Sequence, residues 1–539
     1  MAGSMQLRSL DDKGVAVAEH PAEPSRQEKD NQDLARLGKK PVLKRNFGFV
    51  SMLAFACTVM ITWEGVLLLF SISFNNGGYA GSVYEYMLVW AGTATTFATM
   101  GELASMAPTA GGQYHWVSML APKSSRKILS YLVGWLTVTG WQAIVASGCF
   151  LCATLIEGLI IMNDGDYAPK AWQTMLFYWA TIVFAISVNT VISRLLPNIE
   201  SLILILHTFG FFAILIPLVY FGPHGHAKLV FTSFYNGGKW PTQGLSFMVG
   251  TVGQTFNLLG ADSAVHMSEE IHNPALNVPR AMVFSVLLNG TLGLGMLIAA
   301  LFCLGNADEV LTSPYGYPFM AIFKQAVGSL PGALTMAALI TTLNICATIS
   351  FVATASRMTW AFARDRGTPG WATLSKIEPR TTLPLVSIAL TMITAILLSL
   401  IGLGSAVAFN DVVSLAINGL YTSYLLGNSL LLYRRLTGGV RPYSASDTTL
   451  RNTIDSDHLV WGPWKIPEPL GTIVNAFGCI YLFVMLVFSF WPTQANPTPD
   501  LMNYSSLMVG AVLIFGVVYY LVWGNRSYTG PVVEVDASK

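Results

Sequence analysis

The stretch "MITWEGVLLLF", residues 60–70, places a single carboxylate inside an apolar run. The run extends from about residue 48 to residue 73, which is long enough for a membrane-spanning helix. Glu64 lies about 5 Å beyond the middle of that helix, and a glutamate side chain is too short to reach water from there. Because an ionisable group inside a bilayer is costly, Glu64 is predicted to have a function at this position.

The composition of the whole chain is that of a membrane protein. Of its 539 residues, 53% are hydrophobic and only 11% are charged, and the formal net charge is +1. This near balance of charge argues against a nucleic-acid partner or attachment to an anionic surface. The six cysteines lie in or beside apolar runs, so no disulfide framework is expected. Residues 1–46 are too polar to contain a signal peptide.

Twelve apolar runs are long enough to cross a bilayer with about 30 Å of hydrocarbon. They are continuous rather than alternating, which indicates helices and not a transmembrane β-barrel. The predicted fold class is therefore an all-α polytopic membrane protein. The predicted spans are 48–73, 80–106, 128–161, 173–192, 199–221, 245–269, 281–304, 330–356, 384–404, 406–433, 470–491 and 504–523.

The distribution of Lys and Arg among the connecting segments predicts the orientation. When the amino terminus is placed in the cytosol, 26 of the 30 Lys and Arg residues lie in inner segments, as the positive-inside rule requires. The four in outer segments are Lys170, Lys228, Lys239 and Lys324. We therefore expect a disordered cytosolic tail over 1–46, a twelve-helix domain over 47–525 and a cytosolic tail over 526–539.

Two of the predicted spans carry helix-breaking residues near their middle. These are residues 62–65 in the first span and residues 259–262 in the sixth. A single glycine is common in membrane helices for packing. The first and sixth of ten helices, however, are corresponding members of two five-helix halves, and paired interruptions of this kind mark the solute sites of many transporters. Freed amides there suit a carboxylate, whereas freed carbonyls and Glu64 suit a cation.

Four motifs follow one another along the chain. They are MGELASMAPTAGGQYHWVSMLAP (100–122), GADSAVHMSEEIHNPALNVPRAM (260–282), TASRMTWAFARDRGTPG (354–370), and LYTSYLLGNSLLLYRRL (420–436) with WGPWKIPEPLGTIVN (461–475). From about residue 45 to 525 the chain resembles the fungal amino acid/choline transporter family of the amino acid–polyamine–organocation superfamily. The resemblance implies the leucine-transporter-type fold, with two inverted five-helix repeats plus two extra helices, and solute movement by alternating access.

The resemblance also implies a solute site at the unwound parts of the first and sixth helices. Trp63-Glu64 departs from the small, glycine-rich break of the wider superfamily, and a carboxylate beside an indole ring favours an ammonium group. Phe256 is expected to act as a lid. Trp141, Gln142 and Asn344 are expected to complete the lining, although aromatic and amide packing explains them equally well. The full set is Thr62, Trp63, Glu64, Gly65, Trp141, Gln142, Phe256, Leu259, Gly260, Ala261, Asp262 and Asn344.

Two side chains are expected to carry a proton during transport. Fungal members of the family are expected to be proton symporters. A proton carrier needs a pKa that differs between exposure to one side of the membrane and exposure to the other. Glu64 and His207 are the candidates, and His207 lies about 12 Å into the fifth span. The alternative role for His207 is a hydrogen bond to a neighbouring backbone carbonyl.

A gate on the cytosolic side is predicted from charges of opposite sign. Arg357 and Arg364 lie at the end of the eighth span, and Glu102, Glu269 and Glu270 lie near the same face. Formation of ion pairs between the two groups would close the solute path, and their breaking would open it. The alternatives are that the arginines only follow the positive-inside rule, and that Glu102 satisfies backbone groups near the turn after the second span.

The expected function is secondary active, proton-coupled import of an amino acid or another amine-bearing solute, of the amino acid, GABA or choline class, at the plasma membrane. A non-transporting nutrient sensor, an exporter and an intracellular transporter are the alternatives. An enzyme is not expected, because the sequence has no HExxH motif, no paired nucleophile and base, and no phosphate-binding loop. The expected partners are the solute, a proton and the lipid bilayer, with no cofactor, metal or nucleic acid.

Overall fold

The chain folds almost entirely into helices. The structure, a computed structural model, describes residues 25–404, 406–444, 449–454, 456 and 458–535. The first eleven helices are α1 (Arg26–Arg36), α2 (Phe49–Met60), α3 (Thr62–Leu68), α4 (Phe70–Met106), α5 (Gln113–Leu120), α6 (Arg126–Asn163), α7 (Ala171–Val191), α8 (Leu196–Phe221), α9 (Ala227–Thr232), α10 (Gln243–Asn257) and α11 (Ser263–His266). They are followed by α12 (Pro274–Phe302), α13 (Ala307–Leu311), α14 (Pro318–Val327), α15 (Leu330–Arg364), α16 (Trp371–Leu374), α17 (Leu385–Gly404), α18 (Ala406–Leu436), α19 (Leu470–Ser489), α20 (Ser505–Tyr519) and α21 (Asn525–Ser527).

Shorter elements connect these helices. Two strands of two residues each, β1 (Val440–Arg441) and β2 (Leu459–Val460), pair in parallel between α18 and α19, with Val440 opposite Leu459. The remaining short elements are 3₁₀ turns at Ser193–Leu195, Ser268–Glu270 and Pro499–Leu501 and a π-helical turn at Tyr520–Gly524.

Nine helical segments in the described part of the chain are long and apolar enough to cross a membrane, which confirms an all-α polytopic membrane protein. The other three predicted spans fall on α4, on α10 with α11, and on α18. Here α10 has only 15 residues, and asparagines and acidic residues dilute the apolar character of α4 and α18. The predicted count of twelve stays a prediction. The nine segments are Phe49–Leu68, Arg126–Asn163, Ala171–Val191, Ser193–Phe221, Pro274–Phe302, Leu330–Arg364, Leu385–Gly402, Leu470–Ser489 and Ser505–Ser527.

The bundle is organised around α4 and α6. Helix α4 consists of two helical parts that meet at Gly78, which has a non-helical φ of 68° and ψ of −156°. Helix α4 packs against α10, α12 and α19, and α6 packs against α5, α15 and α18, while α2 lies between α8 and α12. The outer faces of the bundle are apolar. Phe209 on α8 is 70% exposed and Ile514 on α20 is 67% exposed. Surfaces of this kind are unfavourable in water and suit contact with lipid tails.

The first span is interrupted at Ile61, between α2 and α3. Ile61 has φ 34° and ψ 46°, a left-handed conformation that is unfavourable for a β-branched residue. The predicted break over residues 62–65 is therefore wrong in position, because those residues form the first turn of α3. Gly65 serves packing instead, since a Cβ atom there would meet Oδ1 of Asn257 at 2.6 Å. The glycine lets α3 lie directly against α10.

The sixth span is interrupted where the sequence predicts. Helix α10 ends at Asn257, α11 begins at Ser263, and Gly260 between them has a φ of 105°, which residues with a side chain rarely adopt. A Cβ atom on Gly260 would meet the side chain of Val59 at 2.8 Å, so this break packs against the end of α2. The two interruptions thus meet inside the bundle.

Residues 25–46 form an ordered segment that begins with α1. Ser25 and Glu28 form a capping box at the start of α1, and Leu34 and Leu37 are buried. The prediction of disorder is therefore wrong for residues 25–46, because the capping box fixes the first turn of α1 and the two leucines find a protein surface to pack against. Residues 1–24 lie outside the described residues.

The first and last described segments of the chain pack on one end of the bundle, called here the terminal face, which holds Lys39 and Val532. Lys39 pairs with Asp365 at 2.5 Å, and both side chains are 1% exposed. The amide of Val532 donates to the same carboxyl at 2.9 Å. Burial opposes ionisation of Asp365, but Lys39 and Arg364 bring its pKa below the ordinary value. One buried anion therefore ties both segments to the loop after α15.

Replacing Lys39 with Met is expected to destabilise the folded protein by about 3–5 kcal/mol, because the Asp365 anion would stay buried without its partner. Lys40→Met is the matched control, since Lys40 is exposed and forms no ion pair in the described part of the chain. Thermal unfolding of the two purified variants in detergent measures the difference. Equal unfolding temperatures would contradict the role given to the Lys39–Asp365 pair.

The contribution of this pair is also expected to depend on pH. Because the folded state lowers the pKa of Asp365, the stabilisation is present above the ordinary pKa of about 4 and is lost as the pH falls through the lowered value. Unfolding temperatures measured across that acidic range should converge for wild type and Lys39→Met. A difference that persists under the most acidic conditions would show that Lys39 acts through something other than the charge of Asp365.

Candidate functional site

A cavity lies where the two helix breaks meet. Its wall is formed by the end of α2 with Ile61, the second half of α3, the middle of α6, the end of α10 with the following break, and α15. The wall is mostly apolar, and none of its residues carries a charge. They are Val59, Met60, Ile61, Gly65, Leu68, Leu69, Ile144, Gly148, Leu151, Phe256, Asn257, Leu259, Gly260, Asn344 and Phe351.

Two asparagines supply the polar side chains of this wall. Asn257 donates through Nδ2 to Oε1 of Gln254 at 3.2 Å, and Asn344 donates to Sγ of Cys152 at 3.1 Å. The Oδ1 atom of each is buried and has no hydrogen-bond partner among the described residues. Because an unsatisfied buried acceptor costs about 1–3 kcal/mol, these two oxygens favour a solute with N–H donors. Asn257 was not predicted, although its place directly before the break was an available signal.

The structure brings five of the twelve expected solute-binding residues to the cavity. These five are Gly65, Phe256, Leu259, Gly260 and Asn344. The other seven lie in the surrounding packing and not in the cavity wall. They are Thr62, Trp63, Glu64, Trp141, Gln142, Ala261 and Asp262.

Glu64 and His207, the two proton-carrying candidates, are in direct contact. Nδ1 of His207 lies 2.7 Å from Oε1 of Glu64, and the side chains are 1% and 0% exposed. His207 therefore does not use this nitrogen for a backbone carbonyl. Nε2 of His207 and Oε2 of Glu64 have no hydrogen-bond partner in the part of the chain that the structure describes. The pair joins α3 to α8.

The neighbours of Glu64 on α3 also turn away from the cavity. The ring of Trp63 packs against His207, with ring centroids 5.7 Å apart, and against Phe211 at 6.1 Å. Thr62 faces α12, where a Cβ atom on Gly293 would meet its methyl group at 2.9 Å. The indole ring therefore shields the Glu64–His207 pair and does not stack on a solute in this conformation.

Asp262 belongs to a hydrogen-bonded cluster beside the cavity. It accepts from the hydroxyl of Tyr424 at 2.6 Å and from Nε2 of Gln113 at 2.7 Å, and Nε2 of His266 lies 3.5 Å away. Ala261 beside it is fully buried. These contacts fix the second half of the broken helix to α5 and α18.

Trp141 and Gln142 on α6 have packing partners. The ring of Trp141 lies edge-on to His266, with centroids 5.9 Å apart. Gln142 donates to the hydroxyls of Thr359 and Thr391 at 3.1 and 3.0 Å. These contacts match the packing alternative for both residues, and they join α6 to α11, α15 and α17.

Two further buried acids were missed by the sequence reasoning. Glu200 on α8 accepts from the hydroxyl of Ser350 at 2.7 Å. Glu85 on α4 is 0% exposed, and neither of its carboxyl oxygens has a hydrogen-bond partner among the described residues. Both lie in the first two turns of a predicted span, where acids are usually solvated. Their burial follows from neighbouring helices that the sequence does not reveal.

Four of the five predicted gate residues form two ion pairs at the terminal face. Arg364 donates to both carboxyl oxygens of Glu269, at 2.6 and 2.9 Å, and Arg357 donates to Glu270 at 2.9 Å. All four side chains are largely buried. The two pairs tie the turn Ser268–Glu270, which follows α11, to the end of α15.

Glu102 does not take part in these pairs. Its carboxyl pairs with Arg435 on α18 and accepts from the amide of Ile466 at 2.9 Å. Glu102 therefore satisfies a backbone group, as the alternative to a gate role predicted. This group lies in the segment before α19 and not at the turn after the second span. Arg435 also pairs with Glu468.

A helical membrane bundle in which two broken helices enclose an apolar cavity defines a membrane transporter. The chain belongs to the amino acid permease family, whose sequence model matches residues 47–514. It is 30% identical over 540 aligned positions to an uncharacterized amino-acid permease of Schizosaccharomyces pombe, with 99% of this chain and 94% of that protein covered.

Two relatives from Saccharomyces cerevisiae are named for the solutes that they transport. The choline transporter is 26% identical over 488 positions, covering 90% of this chain and 83% of its own length. The GABA-specific permease is 25% identical over 547 positions, covering 98% and 90%. These comparisons confirm the resemblance seen in the motifs. Because the family and these relatives are permeases, the protein is a transporter and not an enzyme.

Gly65→Ala is expected to lower stability by about 1–3 kcal/mol, because the added methyl group would force α3 and α10 apart. Gly510→Ala is the matched control, since a Cβ atom on this helical glycine meets nothing within 4 Å. Thermal unfolding of both variants checks the difference. If Gly65→Ala unfolds at the same temperature as Gly510→Ala, the close contact between α3 and Asn257 is not present in the protein.

Proposed function

We propose that this protein is a secondary active transporter that imports an amino acid or a related amine-bearing solute together with a proton. Residues 47–525 would form twelve spans with two inverted five-helix repeats, and the protein would lie in the plasma membrane with both termini in the cytosol. The observation that carries the proposal is the cavity enclosed by both helix breaks, at Ile61 and at residues 258–262. In this arrangement a small movement of either broken helix opens the cavity.

The chemistry of the cavity favours a solute without net charge. None of the lining residues is charged, and a net cation placed there would lose its hydration without gaining a counter-ion. A zwitterionic amino acid has no net charge. Its ammonium group can donate to the Oδ1 atoms of Asn257 and Asn344 and its carboxylate can accept from amides freed at the helix breaks, while its body contacts Phe256 and Phe351. Within the amino acid, GABA and choline class, amino acids and GABA are therefore favoured over choline.

The Glu64–His207 pair is the best candidate for proton coupling. The two side chains are 2.7 Å apart, within hydrogen-bond distance, and either partner alone would be an uncompensated buried group. Helix α3 carries Glu64 directly after the break at Ile61, whereas His207 lies on α8. Movement of α3 with the cavity wall would therefore separate the pair, expose both groups and release the proton.

Uptake by yeast cells that lack their own permeases tests the proposal. Cells that express this protein should accumulate at least one radiolabelled member of a panel of amino acids, GABA, choline and polyamines, faster at acidic than at neutral external pH, and a protonophore should abolish the accumulation. Protein at the cell surface without uptake of any member would contradict import and leave the sensor, exporter and intracellular alternatives.

Glu64→Gln is expected to remove the part of the accumulation that the proton of this pair drives, about tenfold per pH unit for one coupled proton, because the amide cannot release a proton. Exchange of labelled for unlabelled solute needs no net proton movement and should survive. Glu157→Gln is the control, since Glu157 accepts from Thr174 at 2.6 Å and an amide oxygen can do the same. Accumulation by Glu64→Gln with the pH dependence of wild type would rule out this role.

A further inference from the structure

Glu85 occupies a cradle that is built from glycines of two helices. A Cβ atom on Gly77 of α4 or on Gly250 of α10 would meet Oε1 of Glu85 at 2.3 Å, and one on Gly81 would meet it at 3.4 Å. A residue with a side chain at position 77 or 250 would therefore displace the carboxyl group. Together the glycines reserve a space for it between α4 and the first half of the broken helix.

No ionisable side chain among the described residues pairs with the carboxyl group in this cradle. Neither oxygen of Glu85 has a hydrogen bond of good geometry there. The hydroxyl of Ser73 lies close enough to interact with the carboxyl group, but it donates to the carbonyl of Gly250 at 3.1 Å. An unpaired carboxylate would be very unfavourable in such a dry site. A carboxylic acid carries no charge and fits the same space. The cradle therefore suits the protonated form.

No opposite charge faces Glu85 in the described structure. Helix α10 has no ionisable residue, and none of the ionisable groups on α4 or on the other elements packed against it hydrogen-bonds or pairs with Glu85. Those groups are Tyr79, Tyr84, Tyr86 and Glu102 on α4, Glu64 on α3, Lys228 on α9, Arg280 on α12, Lys324 on α14, Cys479 and Tyr481 on α19, and, among the described side chains of α18, Tyr421, Tyr424, Tyr433, Arg434 and Arg435.

We propose that Glu85 binds and releases one proton per transport cycle, separately from the Glu64–His207 pair. The carboxylic acid persists while α4 and α10 are packed together. When the helices separate, water enters the cradle, the O–H bond breaks, the proton passes to water and a hydrated carboxylate remains. The inference rests on the proposed function, because it requires α10 to move during transport.

Helix α10 connects this cradle to the solute cavity. Gly250 precedes the cavity residue Asn257 by seven residues, or about 10 Å along the helix. Glu85 lies about 31 Å along α4 from Met106, so the cradle is near the end of the bundle opposite the terminal face. A solute that holds α10 against α4 also keeps the cradle closed. Solute binding and protonation of Glu85 therefore favour the same conformation.

The number of protons moved per solute tests this inference. Full-length protein is reconstituted in liposomes with an internal pH-sensitive dye, and the radiolabelled solute identified in the uptake panel is supplied outside. Glu85→Gln should lower the ratio by one proton and weaken the dependence of the rate on external pH. Glu309→Gln, a change at an exposed acid on α13, should keep the ratio of wild type. The ratio does not depend on how much of each variant is active.

Substitutions at two glycines of α10 distinguish an effect on the Glu85 carboxyl group from an effect on helix packing in general. Gly250→Ala should displace the Glu85 carboxyl and lower the ratio, whereas Gly244→Ala adds a methyl group that meets nothing within 4 Å and should not change it. Combining Gly250→Ala with Glu85→Ala should recover thermal stability, because the methyl group fills the vacated space, but should not recover the lost proton. Recovery of the proton ratio in the double variant would overturn the proposal.

The outcomes distinguish this inference from the proposed function. If the wild type moves no protons with its solute, the proposed coupling fails and the role of Glu85 fails with it. If the wild type is coupled and Glu85→Gln keeps its ratio and pH dependence, only the role of Glu85 is overturned. Sodium binding is the other outcome. If wild-type transport requires sodium and Glu85→Gln removes that requirement, the proposed role of Glu85 in moving a proton is also overturned.

Discussion

A peptide group inside a bilayer has no water to bond with, and this constraint governs the whole structure. Helices satisfy it by hydrogen bonds within each segment, but at Ile61 and at residues 258–262 the backbone leaves the helical path inside the bundle. Such interruptions persist in a membrane only where protein or a polar cavity surrounds them. The two interruptions lie side by side, with Gly260 against Val59 and Gly65 against Asn257. The cavity is therefore a direct consequence of where the helices break.

The same absence of water explains how the charged groups are arranged. At the terminal face, Asp365 pairs with Lys39 and Glu269 pairs with Arg364, all with little or no exposure. Removing one member of such a buried pair costs about 3–5 kcal/mol. The two members of each pair therefore stay together while they are buried and separate only when water reaches them. Deeper in the bundle, Glu64 is matched by His207. Coupling of solute movement to proton movement follows if opening the cavity separates that pair.

Sequence reasoning succeeded where a local pattern is enough. Apolar runs identified the membrane helices, and glycine chemistry identified the break at residues 259–262. Glu64 and His207 were each singled out because a titratable group deep in an apolar run is costly. Their contact across 143 positions of sequence depends on how α3 and α8 pack, and no local pattern contains that information.

The failures have the same origin. The first break lies at Ile61, one residue before the predicted stretch, because a strained β-branched residue is not a recognisable break signal and Gly65 is needed for close packing. The carboxyl of Asp262, a predicted solute-binding residue, accepts from Tyr424 and Gln113 in this conformation, and its role in binding stays a prediction. Glu85 was overlooked because its burial depends on glycines of another helix. Each of these outcomes is decided by tertiary contacts.

We expect the solute to bind where the two broken helices meet. An experimental structure of the protein with its transported solute is the direct test. The solute should lie between Gly65, Gly260 and Phe256, with its amino group within hydrogen-bond distance of Oδ1 of Asn257 or Asn344. A solute bound outside this cavity, or an uninterrupted helix through Ile61 or through residues 258–262, would contradict it.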